Sequence, residues 1–204
     1  MSDQYKTIVG IAESKLLVKK SRFIGLGTSI DTIAAVKDSL NLVRTNYPNA
    51  AHYCYGYSIG LGDEKREYAT DAGEPVNTAG SPILSAVSTS GLSNIICVVV
   101  RYYGGIKLGI GGLIRAYGQC ARDCLNHAEI KTQILYRVLQ VRVPYEQIGS
   151  ALNLCRRLKG RVLNVESDQY ATLHLQIRQR EVTAFRENLQ GISPEIQVIN
   201  PVTS

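Results

Sequence analysis

VVVRYYGGIKLGIGGLIRAYG, residues 98–118, is the stretch whose reading decides the fold class. A β-branched run enters it, five glycines stand between Gly104 and Gly112, and an amphipathic run leaves it, which is the order strand, loop, helix. The strand extends over Asn94 to Tyr103, and its centre IICVVV is apolar on both faces, so it is expected in the middle of a sheet. After the glycines, Leu113, Ile114, Tyr117, Ala121, Cys124 and Leu125 share one helical stripe and leave Arg115, Gln119 and Arg122 to solvent. Glycines allow a backbone to turn freely and approach a ligand, and a helix start offers unpaired N–H groups, so the stretch reads as an anion site with Lys107 inside the loop. It is not a common nucleotide motif. Gly104 and Gly109 have the first spacing of a P-loop, but Ile110 and Gly111 stand where Lys and Ser or Thr belong, and no G-x-G-x-x-G is present. The plainer alternative is a tight crossover whose glycines serve packing alone.

Working toward the N-terminus, residues 60–79 show neither helical nor strand period and carry a net charge of −3, which predicts a mobile loop. HYCYGYSI before it alternates Tyr53, Tyr55, Tyr57 and Ile59 with His52, Cys54, Gly56 and Ser58, the pattern of a half-buried strand. Ile33, Val36, Leu40, Val43 and Tyr47 predict a helix with Asp31 as N-cap, stopped at Pro48. Tyr5 to Ile30 reads as two or three strands, and SPILSAVSTS as a short helix.

Toward the C-terminus the rhythm changes to strand LQVRVPY, a helix on Ile148, Leu152, Cys155 and Leu158, strand RVLNVE, strand YATLHLQI, a helix on Val182, Phe185 and Leu189, and strand EIQVI. That is β-α-β-β-α-β, the ferredoxin-like split. The expected class is therefore α/β (α+β) in two domains, residues 1–135 with the glycine-rich stretch and residues 136–204.

The net charge of +6 is concentrated. Residues 1–138 hold 15 Lys and Arg against 11 Asp and Glu, and residues 101–122 contribute Arg101, Lys107, Arg115 and Arg122 with no acid. Such a surplus favours anionic partners. Five cysteines, an odd number, argue against a disulfide framework, and neither a signal peptide nor a long apolar span is present, so a reducing cytoplasm and no membrane are expected. Cys120 and Cys124 stand at i, i+4 without a second ligand pair, which favours small apolar fillers over zinc, and no metal or cofactor is expected. No nucleophile motif appears, so no catalytic residue is assigned; His52, Asp71 and Glu74 are the acid/base groups a hydrolase-type enzyme would draw on.

Together, KKSRFIG (19–25), DAGEPVNTAGSPIL (71–84) and residues 98–118 closely resemble the YigZ/IMPACT family, whose signature the last two stretches carry. The resemblance implies an N-terminal two-layer fold shared with a small-subunit ribosomal protein and with domain IV of elongation factor G, and a C-terminal ferredoxin-like domain similar to one in elongation factor G. It implies a patch of Arg101, Tyr102, Tyr103, Gly104, Gly105, Lys107, Gly109, Gly111 and Gly112, extended here by Arg115 and Arg122, facing Asp71, Gly73, Glu74 and Thr78. Asn77 stands in a slot where many relatives have glycine, and asparagine tolerates the left-handed conformation. Eukaryotic relatives regulate translation through protein competition. The expectation is a non-enzymatic RNA- or ribosome-associated regulator of translation, with a protein-interaction module as the rival; Arg101 is alternatively expected partly buried, paired with Asp71 or Glu74.

Overall fold

A computed structural model describes residues 3–199; the termini expected for the two domains, residues 1–2 and 200–204, lie outside them. In chain order the elements are β1 (Gln4–Ile8), β2 (Ile11–Val18), β3 (Ser21–Ser29), α1 (Ile33–Asn46), β4 (His52–Ile59), β5 (Arg66–Thr70), α2 (Gly80–Thr89), β6 (Ile95–Tyr102), α3 (Ile110–Asn126), β7 (Ile130–Ile134), β8 (Tyr136–Val143), α4 (Ile148–Arg157), β9 (Arg161–Ser167), β10 (Ala171–Arg178), α5 (Val182–Ile192) and β11 (Gln197–Ile199). The protein is α+β with antiparallel sheets and its described residues divide into two compact units, residues 6–132 and residues 133–199 with residues 3–5. The placement of residues 3–5 with the second unit departs from a first domain beginning at residue 1. It follows from bonds that no local pattern announces: Arg178 holds the buried Asp3 carboxylate at 2.8 Å, and Leu135 N–H donates to the Asp3 carbonyl. β1 and β7 pair as a two-stranded ribbon.

In the first unit the strands run β2-β3-β6-β4-β5, with β6 central. Its alternation sorts two cores: Ile95, Cys97 and Val99 pack with α2 and α3, and Ile96, Val98 and Val100 with α1. All six are at most 1% exposed, each worth about 1.5–3 kcal/mol when large and fully buried, so this strand anchors both layers. β4 is buried on its small-residue face, Cys54, Gly56 and Ser58, while its tyrosines are half-buried beside α1. α1 is capped by Thr32, whose Oγ1 accepts from Ala35 N–H, and not by Asp31. Ile114 is 40% exposed, off the buried stripe.

The stretch expected to be a mobile loop is built in part. A 3-10 turn occupies Gly62–Glu64, β5 pairs with β4 from Tyr55↔Thr70 to Ile59↔Arg66 as an edge strand, and residues 71–79 run irregularly to α2. In the second unit the order is β11-β8-β10-β9, with α4 and α5 over one face around Leu139, Val141, Leu173, Leu175, Phe185 and Leu189. The five cysteines are free and buried. Among the described residues no helix is long and apolar enough to cross a membrane, and no cluster of ligands could hold a metal ion.

Candidate nucleic-acid interface

The strand-loop-helix has a surface layer and a buried floor. Where β6 ends, Gly104 lies against the turn between β2 and β3: a Cβ there would stand 2.1 Å from the Lys20 carbonyl carbon, and its N–H donates to Ser21 Oγ at 3.2 Å. Gly104 therefore serves packing. Gly105 and Gly109 carry φ of 84° and 70°, turns that side chains disfavour, and both are exposed. Gly109 starts α3, Gly111 and Gly112 occupy its first turn, and no side chain caps it. The orphan N–H groups of a helix start carry partial positive charge, which favours an anion. Lys107 and Arg115 are exposed beside this end, and Arg122, two turns beyond Arg115 on α3, is exposed with Nη2 bonded to Gln119 Oε1 at 3.1 Å.

Beneath lies Glu74, its side chain 3% exposed. Its Oε1 accepts from Arg101 Nη1 at 2.6 Å and from the Tyr117 hydroxyl at 2.7 Å. His52 Nε2 stands 3.8 Å from the same oxygen, while His52 Nδ1 lies 3.0 Å from the Ala72 carbonyl and Gly73 lies against the ring. Arg101 is buried, reaches Ser21 Oγ at 3.4 Å through Nη2, and lies within 5.5 Å of the Phe23 ring and 5.3 Å of the Tyr103 ring. Its inclusion among the phosphate contacts is thus corrected: the guanidinium at the strand end pairs inward with Glu74. Burial, reinforced by Cys54 and then Glu74, pushes the Tyr117 phenol far above its ordinary value, so it remains a donor to the carboxylate. Burial likewise pushes the Cys54 thiol up to about 12; it donates to the Asp71 carbonyl at 2.9 Å.

Asp71 organises the rest of the facing loop. Its Oδ1 accepts from Ala79 and Gly80 N–H, both at 2.8 Å, and its Oδ2 from Asn77 N–H at 2.9 Å, so this carboxylate caps α2 from eight residues upstream. Burial works to raise its pKa, but these donors and Thr78 N–H outweigh it and hold the carboxyl below the usual aspartate range. Thr78 is buried with its hydroxyl on the Pro75 carbonyl. Asn77 adopts φ of 62°, the left-handed conformation expected to let asparagine stand in for glycine.

The expected residues thus separate. Tyr103, Gly105, Lys107, Gly109, Gly111, Arg115 and Arg122 are exposed and Gly112 is half-buried, whereas Arg101, Glu74 and Thr78 are buried. Sequence reasoning left out Tyr117, Cys54 and Ser21. A tyrosine in the middle of an apolar helical stripe is the signal that was available, because a buried hydroxyl needs a partner. Ser21 sits inside KKSRFIG, where nothing local distinguishes it.

This arrangement has relatives. The Impact N-terminal domain family matches residues 19–125, a span that includes both the buried floor and the basic helix. The chain is 32% identical to the IMPACT family member YvyE of Bacillus subtilis (strain 168) over 187 residues, 92% of this chain and 86% of that protein. It is 32% identical to the IMPACT family member YigZ of Escherichia coli (strain K12) over 177 residues, 86% and 87% of the two chains. A crystal structure of a hypothetical protein superposes with a TM-score of 0.78 at 28% identity, covering 100% of both chains.

Proposed function

The chain belongs to the IMPACT family, and from that premise we propose that it is a non-enzymatic, cytoplasmic, RNA- or ribosome-associated regulator of translation that holds nucleic-acid phosphate at the glycine-rich strand-loop-helix. A likeness of its two domains to a ribosomal protein and to elongation factor G belongs to the same reading. The observation that carries it is the contrast between the two layers. The acids of the facing loop would repel phosphate if they were open, but Glu74 is matched by Arg101 and Asp71 is engaged by backbone N–H groups. What remains at the surface is the uncapped start of α3 with Lys107, Arg115 and Arg122. His52, Asp71 and Glu74 are all engaged in holding the loop, which speaks for scaffolding over hydrolysis.

Filter binding of total RNA across a salt series tests the reading. Lys107→Ala, Arg115→Ala and Arg122→Ala should each weaken binding and each lower the log–log salt slope by roughly 0.7–0.9, since each removes one neutralised phosphate. A second reading, a protein-interaction module, draws on Tyr103, Val76 and Ile110, which are 50%, 82% and 66% exposed. A folded triple variant that keeps wild-type RNA affinity overturns the phosphate reading in favour of this one.

A further inference from the structure

Two helices, α2 and α3, pack together on one face of the five-stranded sheet, and α1 lies alone on the other. The consequence is visible in β2. Its Ala12 and Ser14 are buried toward α3, but Ile11, Glu13, Lys15 and Leu17 of the opposite face are exposed. Between α1 and this uncovered edge runs a cleft of about 520 Å³. Its floor is Leu26, Ile30, Ile96 and Val98, and its lips are the half-exposed Ile11 and Leu42. One wall follows α1 from Ala35 to Tyr47, about 18 Å at 1.5 Å per residue, the length of three helical turns.

The walls carry charge of one sign. Glu13, which accepts from the Tyr47 hydroxyl at 3.3 Å, and Asp38 line the cleft, and no lysine or arginine does, in a chain whose net charge is +6. Lys15 pairs with Glu13 at 2.8 Å, but this lysine side chain is 69% exposed, and such solvent-screened pairs yield readily. We propose that the cleft docks an amphipathic helix of a protein partner in the place where the sheet lacks a second helix, its apolar stripe against the exposed Ile11 and Leu42 above the floor of Leu26, Ile30 and Val98 and its flanking Lys or Arg on Asp38 and Glu13. The sheet separates this cleft from α3, so the docking does not rest on the phosphate reading and leaves the basic track free.

The test is fluorescence anisotropy with the full chain and an 18-residue synthetic helix of leucine and lysine, beside a companion with glutamate for lysine. The lysine peptide should bind and the glutamate peptide should not. Asp38→Lys and Leu42→Arg, both on the outer part of α1, should each weaken binding roughly tenfold or more, with unchanged melting curves. Lys107→Ala should leave peptide binding unaltered, and Asp38→Lys should leave RNA binding unaltered, so the two readings fail separately. Absence of binding, equal binding of both peptides, or binding insensitive to both α1 variants overturns the proposal. So does a cleft that takes dodecylammonium but not the peptide, which would make it a site for a small amphiphile.

Discussion

With its carboxylate between the Arg101 guanidinium and the Tyr117 hydroxyl, Glu74 is a buried anion matched by a buried cation. Arg101→Ala strands that charge and should cost about 3–5 kcal/mol in urea unfolding, whereas Arg101→Met combined with Glu74→Leu should cost clearly less than the sum of the singles. Asp71 makes stability depend on pH. Its folded carboxyl is held below the unfolded value of about 3.9, so its contribution is complete above that value and is lost as pH falls through the folded value. Asp71→Asn should therefore flatten the acid limb of a plot of melting temperature against pH, and at neutral pH cost about 1–2 kcal/mol for weakened charge-assisted bonds in a partly solvated site. Cys54, raised to about 12 by burial, stays a thiol, and with all five cysteines buried the native protein should resist Ellman's reagent until it is unfolded.

Among the elements, β5 was hidden from sequence reading because its sequence REYAT places Arg66 and Glu67 on an edge strand, where charge guards an open edge and masks the alternation. Its hold on β4 includes Tyr68, with ring centroids 6.1 Å from Tyr55 and 5.8 Å from Tyr57. Tyr68→Ala should destabilise the first unit by roughly 0.5–1.5 kcal/mol beyond the area lost, measurable by thermal melts. The expectation of a mobile loop throughout residues 60–79 changes accordingly. Because Asp71 and Glu74 tie residues 71–80 to α2, β6 and α3, limited digestion with the broad-specificity proteinase K should begin around Lys65 or the exposed Lys107, with the bonds of 71–80 surviving longer.

At the scale of the molecule, a fragment of residues 133–204 contains the core around Leu139, Leu173, Leu175 and Phe185 and should give a folded circular-dichroism spectrum. It lacks Asp3, so it should melt below a version in which residues 3–5 are restored by fusion, because Arg178 loses its buried partner. Much of this architecture was legible locally. The run IICVVV could only be a strand covered twice, the 3.6-residue periods of α1, α3, α4 and α5 named their buried faces, and the crowded glycines before Leu113 marked a strand passing into a helix. These follow from the sequence by itself because periodicity and backbone freedom act over a few neighbouring residues. The partners of Glu74, Arg101 and Asp3, the entry of Tyr117 into the polar floor, and the empty place beside α1 were decided only by the tertiary structure. Glu74 meets Tyr117 across 43 residues and Asp3 meets Arg178 across 175, and no local signal selects one distant partner among several of like chemistry until packing has brought them together and excluded water.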